Sequence, residues 1–267
     1  MVPIVEIFRQ TRKTLKENPI IWVLFFFVAL CDLIALLILY TAPFGPHAIL
    51  FAPIIRALWS DAYLHYPENF ILLPKLMQHA HVVILLTVGI IITGIVIKKV
   101  EAFRKGEKLH SVQALKLVLP KYLPMAVCWW VSFYVFNFLV KKGLPLLPAN
   151  FWVHLAGALI FAILSQALLA YLLPAILLSK TGTLQGIKDA FVVGVKYMKQ
   201  TMTLIGLPVL VLVGLAYAKT LAPYLAKSDP ERVLWLLVLA IPITMLADLW
   251  ITVSTTLLYL RVKGQLK

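Results

Sequence analysis

A chain of 267 residues that is 62% hydrophobic and only 13% charged does not fit a soluble domain, where about 25% of residues carry charge. No polar stretch is long enough for a separate soluble catalytic domain, so one integral membrane domain spanning 1–267 is expected. The net charge of +14 does not imply a nucleic-acid partner, because the aromatic residues lie inside apolar stretches and not along a basic groove.

Residues 4–17 (IVEIFRQTRKTLKE) place Ile4, Phe8 and Leu15 on one side of a helix and basic groups on the other. The first apolar stretch, 20–40, follows directly. It is too long for the apolar region of a cleavable signal, and no small-residue cleavage site closes it. The connection 41–79 contains AILFAPIIRALW (48–59), too short to span and too apolar to float, which predicts a helix lying at the outer surface. His65-Tyr66-Pro67-Glu68 then reads as a helix start with Pro67 at the first helical position. Further apolar stretches cover 80–97, 122–140, 152–178, 202–222 and 233–260. With the first they make six, each near the ~20 residues a helix needs to cross ~30 Å of hydrocarbon. Backbone polar groups in lipid must be satisfied within the segment, so these stretches are helices. The expected fold class is an all-α polytopic membrane protein with six transmembrane helices and interfacial amphipathic helices.

Charge sets the orientation. Segments 1–19, 98–121, 179–201 and 261–267 hold four, seven, four and three basic residues, eighteen of the 25, and the other seven lie on or beside the alternate connections. Both termini are therefore expected in the cytoplasm. Basic amphipathic segments recur at 111–121 (SVQALKLVLPK) and 183–199 (TLQGIKDAFVVGVKYMK), each running into a span as residues 4–17 do. Lys16-x-x-Pro19 and Lys121-x-x-Pro124 match, and Lys199-x-x-Met202 is a looser third copy. The pattern suggests three units of one interfacial helix and two spans, with lysines reaching anionic headgroups.

The chain has no Gly-rich phosphate loop, nucleophile elbow or paired Cys-x-x-Cys, and no enzyme is expected. Cys31 and Cys128 fall within spans and read as small buried hydrophobes. Polar residues near the bilayer midplane are the first candidates: Asp32 in span 1, Gln166 in span 4, and Asp248 in span 6 with Thr244 and Thr252 on the same face. An ionised Asp at that depth costs ~2.5–3.5 kcal/mol or more, and no cation within a span is expected to offset it. Ala158, Ala162 and Ala170 form a small-residue stripe around Gln166 that permits close helix contact. The group reads either as a proton or cation relay where spans 1, 4 and 6 converge, or as hydrogen bonding between packed helices. Pro174, Pro208 and Pro242 are positioned to break or kink their spans, and Trp129-Trp130 through Phe136 read as internal packing. Histidines are the second candidates: His65, His79 and His81 for a metal near the outer surface, and His81 with His154 for a haem. No cofactor is required by the sequence.

The closing stretch Thr255-Thr256-Leu257-Leu258-Tyr259-Leu260-Arg261-Val262-Lys263 resembles the end of a group of prokaryotic six-helix membrane proteins. Those proteins are similar to the membrane domain found ahead of some glycerophosphodiester phosphodiesterases. Gln185 to Lys199 resembles their amphipathic lead-in to a span. Lys263 replaces their second Arg, their Tyr-Asp element is absent, and no phosphodiesterase domain is present, so no catalytic residue carries over. The resemblance implies a multi-pass protein of a prokaryotic cytoplasmic membrane. The expected function is a non-enzymatic accessory, scaffolding or lipid-organising protein acting with membrane lipids and partner subunits or a second copy of itself. A small transporter or channel using Asp32 and Asp248 is the alternative.

Overall fold

The computed structural model describes residues 4–148, 150–179 and 182–264, and it is helical throughout them, with no strand. Six stretches are long and apolar enough to cross a membrane: Pro19–Thr41, Glu68–Lys105, Ser111–Leu146, Trp152–Leu178, Met198–Thr220 and Glu231–Val262. The chain is thus a multi-pass, all-helical membrane protein. Five of the expected spans lie within these stretches, and the fifth in order, 202–222, overruns its helix by two residues. The second differs most, because the mixed polar and apolar residues Glu68 to Gln78 already form helix before the expected run begins.

Two compact units divide the chain, one comprising 1–25, 86–213 and 247–267, the other 26–85 and 214–246. In the first, α1 (Ile4–Glu17) leads through Asn18 into α2 (Pro19–Thr41). Trp22 Nε1 donates to the Leu15 carbonyl at 3.1 Å across that junction. α3 (His47–Leu58) and α4 (Glu68–Ile84) belong to the second unit, and α5 (Ile90–Lys105), α6 (Ser111–Val118), α7 (Tyr122–Gly143), α8 (Phe151–Leu169), α9 (Leu172–Leu178) and α10 (Thr183–Lys196) to the first. The remaining helices are α11 (Met198–Thr220), α12 (Ala222–Ser228) and α13 (Glu231–Val262).

The short helix α9 is the hub of the first unit. Leu172 and Pro174 to Leu178 are all buried, and α5, α7 and α10 pack on it. Pro174 has no N–H to give the Ala170 carbonyl, and the fourth span breaks there, at Ala170-Tyr171. Tyr171, fully buried at the break, hydrogen bonds Thr201. Because Thr201 Oγ1 donates to the Tyr197 carbonyl at 2.9 Å, the Tyr171 hydroxyl is the donor of that pair. Pro208 and Pro242, by contrast, sit inside unbroken helices.

α10 approaches α8 and α9 at backbone distance. A Cβ added to Gly186 would lie 2.9 Å from the Ala175 carbonyl oxygen, and one on Gly194 would lie 2.8 Å from that of Leu168. With Ala190 fully buried between them, these residues form a small-residue stripe at four-residue spacing. The stripe expected on α8 is less consistent: Ala162 is buried, while Ala158 and Ala170 are half-buried.

In the second unit, Leu36, Phe70, Leu73, Met77, Val233 and Leu237 form one apolar cluster with Ala222 and Ala226 of α12. Ala42, Ile55, Tyr63 and Leu76 form another beneath α3. α3 is the short apolar helix expected at 48–59, burying Ala52 and Ile55 while Ile49, Leu50 and Leu58 stay exposed. Pro67 immediately precedes the first residue of α4, one position earlier than expected. The two cysteines are free and half-buried. Trp129 to Phe136 do not form the expected interior. Only 6% of the third span's apolar window is buried, Trp130 and Tyr134 are exposed, and Trp129 stacks on its own helix neighbour Phe133 at 5.5 Å. An apolar helix solvated by lipid need not hide its aromatics.

Candidate functional site

Among the described residues, the most buried acid within a span is held by an imidazole. Asp32, on α2, is 5% exposed, and His81, on α4, directs Nδ1 at both of its oxygens, at 2.9 and 3.0 Å. A carboxylate only accepts, so His81 carries its proton on Nδ1 and donates it as a forked bond. This pair bridges two helices of the second unit across 49 residues of sequence. Lys219, in the last turn of α11 and in the same unit, lies within Coulombic reach of Asp32. The expectation that no cation within a span offsets the acids is therefore corrected. Lys219 falls near the end of the expected apolar stretch 202–222, and α11 continues through Thr220 and holds it half-buried. Asp32 thus has an imidazole bonded to it and an ammonium within electrostatic range, and pairing of this kind makes an intramembrane carboxylate tolerable.

The other midplane candidates divide between the two units. Thr244 falls in the second unit, while Gln166, Asp248 and Thr252 belong to the first, so no single unit holds the full set. Gln166 is exposed although its neighbours Ser165 and Ala167 are buried, because the rotation of α8 turns it outward. Asp248 and Thr252 are half-buried. The hydroxyls of Thr255 and Thr256, a turn further on, donate to the Ile251 and Thr252 carbonyls of their own helix at 2.7 Å each. Those two hydroxyls are satisfied within their own helix.

No family model, no curated protein and no solved structure matches this chain.

The histidines expected to hold a metal are not gathered. Among the described residues no three His, Cys, Asp or Glu side chains cluster as a metal site. His65 Nε2 bonds Asp61 Oδ2 at 2.6 Å, His79 bonds the Lys75 carbonyl and packs on Trp59, and His81 is committed to Asp32. The three rings go to three different partners. His81 and His154, expected as a haem pair, fall in the second and first unit respectively. Arg56 Nε also donates to Asp61, at 2.5 Å. Those hydrogen bonds, Arg56 first and His65 second, hold the Asp61 carboxyl below its ordinary value.

Two features were not anticipated. A π-helical turn, Leu85–Gly89, interrupts the second span, and the Tyr122 hydroxyl donates to the Leu86 carbonyl there at 2.8 Å. Positive-φ glycines also recur: Gly106 and Gly264, with φ of 76° and 68°, stand just past the ends of the second and sixth spans, and Gly182, with φ of 104°, caps the start of α10. Sequence carried a signal for these, in Lys105-Gly106, Thr181-Gly182 and Lys263-Gly264.

Proposed function

We propose that this chain is a non-enzymatic protein of a prokaryotic cytoplasmic membrane that organises lipids and partner subunits from the cytoplasmic side. Both termini lie in the cytoplasm in this reading. The observation that carries it is the threefold recurrence of a short amphipathic helix feeding a span. α1, α6 and α10 precede α2, α7 and α11 by no more than three residues. Eighteen of 25 basic residues lie on the side from which those helices enter. A helix of this kind sits with its apolar face among acyl chains and its lysines at anionic headgroups, at about 1 kcal/mol per basic residue near the surface. The resemblance to membrane domains that accompany glycerophosphodiester phosphodiesterases accords with an accessory role.

A second reading, proton or cation movement, is favoured by the Asp32–His81 pair with Lys219 nearby. It needs only Asp32 of the two acids first considered. Proteoliposomes separate the readings. Under the accessory reading wild-type proton and cation flux stays at background, and fluorescent anionic lipid is enriched around the protein. Asp32→Asn keeps size and hydrogen bonding and leaves both results unchanged. Flux above background in wild type, abolished in an Asp32→Asn variant of equal thermal stability, would establish transport in place of the proposed role.

A further inference from the structure

Where α1 meets α2 beside the end of α5, the first unit encloses a cavity of about 310 Å³ lined chiefly by Asn18, Lys99, Phe103, Glu107, Lys108 and His110. The local fold builds it in three steps. Gly106, left-handed, ends α5 with a paired turn in which Gly106 N–H donates to Phe103 O at 3.1 Å and Glu107 N–H to Ala102 O at 2.9 Å. The chain then doubles back, and Lys99 Nζ clamps it by donating to the Leu109 carbonyl at 2.9 Å. His110 finally caps α6, its ring accepting from the third residue's N–H while Gln113 accepts from the His110 N–H at 3.2 Å. The first amides of α6 therefore open beside the cavity, with the positive end of that helix.

Asn18 also lines the cavity, and its Nδ2 is shielded from solvent without a hydrogen-bond partner. A buried donor without an acceptor is costly and marks a place where an acceptor belongs. Two lysines, an orphan amide donor and a helix N-terminus all seek negative oxygen. Glu107 opposes them, leaving one net positive charge with His110 neutral, which matches the single negative charge of a phosphodiester. Phe103 supplies an apolar wall.

We infer that this cavity binds the phosphodiester of an anionic phospholipid headgroup, a chemistry it shares with free phosphate. The inference rests on the lipid-organising reading and gives it a specific seat. Lipid is the occupant because the cavity opens where α1 and α6, both amphipathic, run into spans, the level at which headgroups lie.

The test uses the full chain in mild detergent, with native mass spectrometry of retained lipid during titration with phosphatidylglycerol, phosphatidylcholine or inorganic phosphate. Wild type retains phosphatidylglycerol in preference to phosphatidylcholine. Lys99→Gln and Lys108→Gln each lower that retention about fivefold. Glu107→Gln raises it, and Lys227→Gln, an equal charge loss in the other unit, leaves it unchanged. Lys108 is exposed and makes the safer variant should loss of the Lys99 clamp disturb folding. Wild-type retention in a folded Lys108→Gln and Lys99→Gln pair would overturn the seat and leave the lipid reading standing. No preference in wild type would overturn both. Displacement of the lipid by an equal concentration of inorganic phosphate would assign the site to the free anion instead.

Discussion

Replacing Gly194 by Ala should destabilise this protein, although the same change at Gly206 should stabilise it. A Cβ at 194 meets the Leu168 carbonyl oxygen at 2.8 Å, with Leu168 Cα at 3.4 Å behind it. Ordinary carbon–oxygen approach is about 3.3 Å or more, so α10 must retreat from α8 by roughly 0.5 Å. The obstacle is backbone and cannot swing aside, and overpacking of this kind costs ~1–3 kcal/mol. Removing a helical glycine returns up to about 1 kcal/mol, for a net loss of ~1 kcal/mol. Gly206, in α11, has nothing within 4 Å of the position a Cβ would take. Gly206→Ala should then gain ~0.5–1 kcal/mol, and the two variants should differ by about 2 kcal/mol. At 2–4 °C per kcal/mol for a chain of this size, their melting temperatures in one detergent should lie about 4–8 °C apart. Gly186→Ala, whose Cβ would meet the Ala175 carbonyl at 2.9 Å, should follow Gly194→Ala. A Gly194→Ala variant as stable as Gly206→Ala would refute the close packing of α10 on its neighbours.

Asp61 gives a pH-dependent check. Its folded pKa is depressed below 3.8, so the Arg56 and His65 contacts stabilise the segment above that pH and are lost as pH falls through the folded value. In NMR titrations Arg56→Gln should raise the Asp61 pKa, and an unchanged value would remove Arg56 as the cause. Topology is checked by impermeant labelling of single cysteines: Arg12→Cys and Lys116→Cys should react only from the cytoplasm, Ala62→Cys and Leu146→Cys only from outside. Labelling of Lys116→Cys from outside would end the proposed orientation.

The spans were readable because a run of about twenty apolar residues has one physical solution in lipid. α1, α6 and α10 were readable from their one-sided charge. What sequence hid was rotation and the true length of helices. His81 reads as the outer end of a span when only the apolar run 80–97 is counted. Once α4 begins at Glu68, His81 stands thirteen residues inside a helix, about 20 Å along at 1.5 Å per residue, where it meets Asp32. Gln166 failed for the opposite reason. Its depth was legible, but whether it or its neighbour Ser165 turns inward depends on how α8 packs. Gly186, Ala190 and Gly194 were in plain view as a small-residue stripe, masked by the basic amphipathic pattern of the same helix.

The three amphipathic lead-in segments can be compared position by position. With Pro19 aligned on Pro124 and Met202, Asp32 corresponds to Asn137 and Leu215. Asn137 donates to the Phe133 carbonyl of its own helix at 2.8 Å, whereas Asp32 accepts from His81 of another helix. An amide and an apolar side chain stand at the corresponding positions of the other two segments, so a span entered in this way does not require a carboxylate there. An acid that is costly to place in hydrocarbon and not demanded by that layout is the natural focus for any charge-dependent role this protein has.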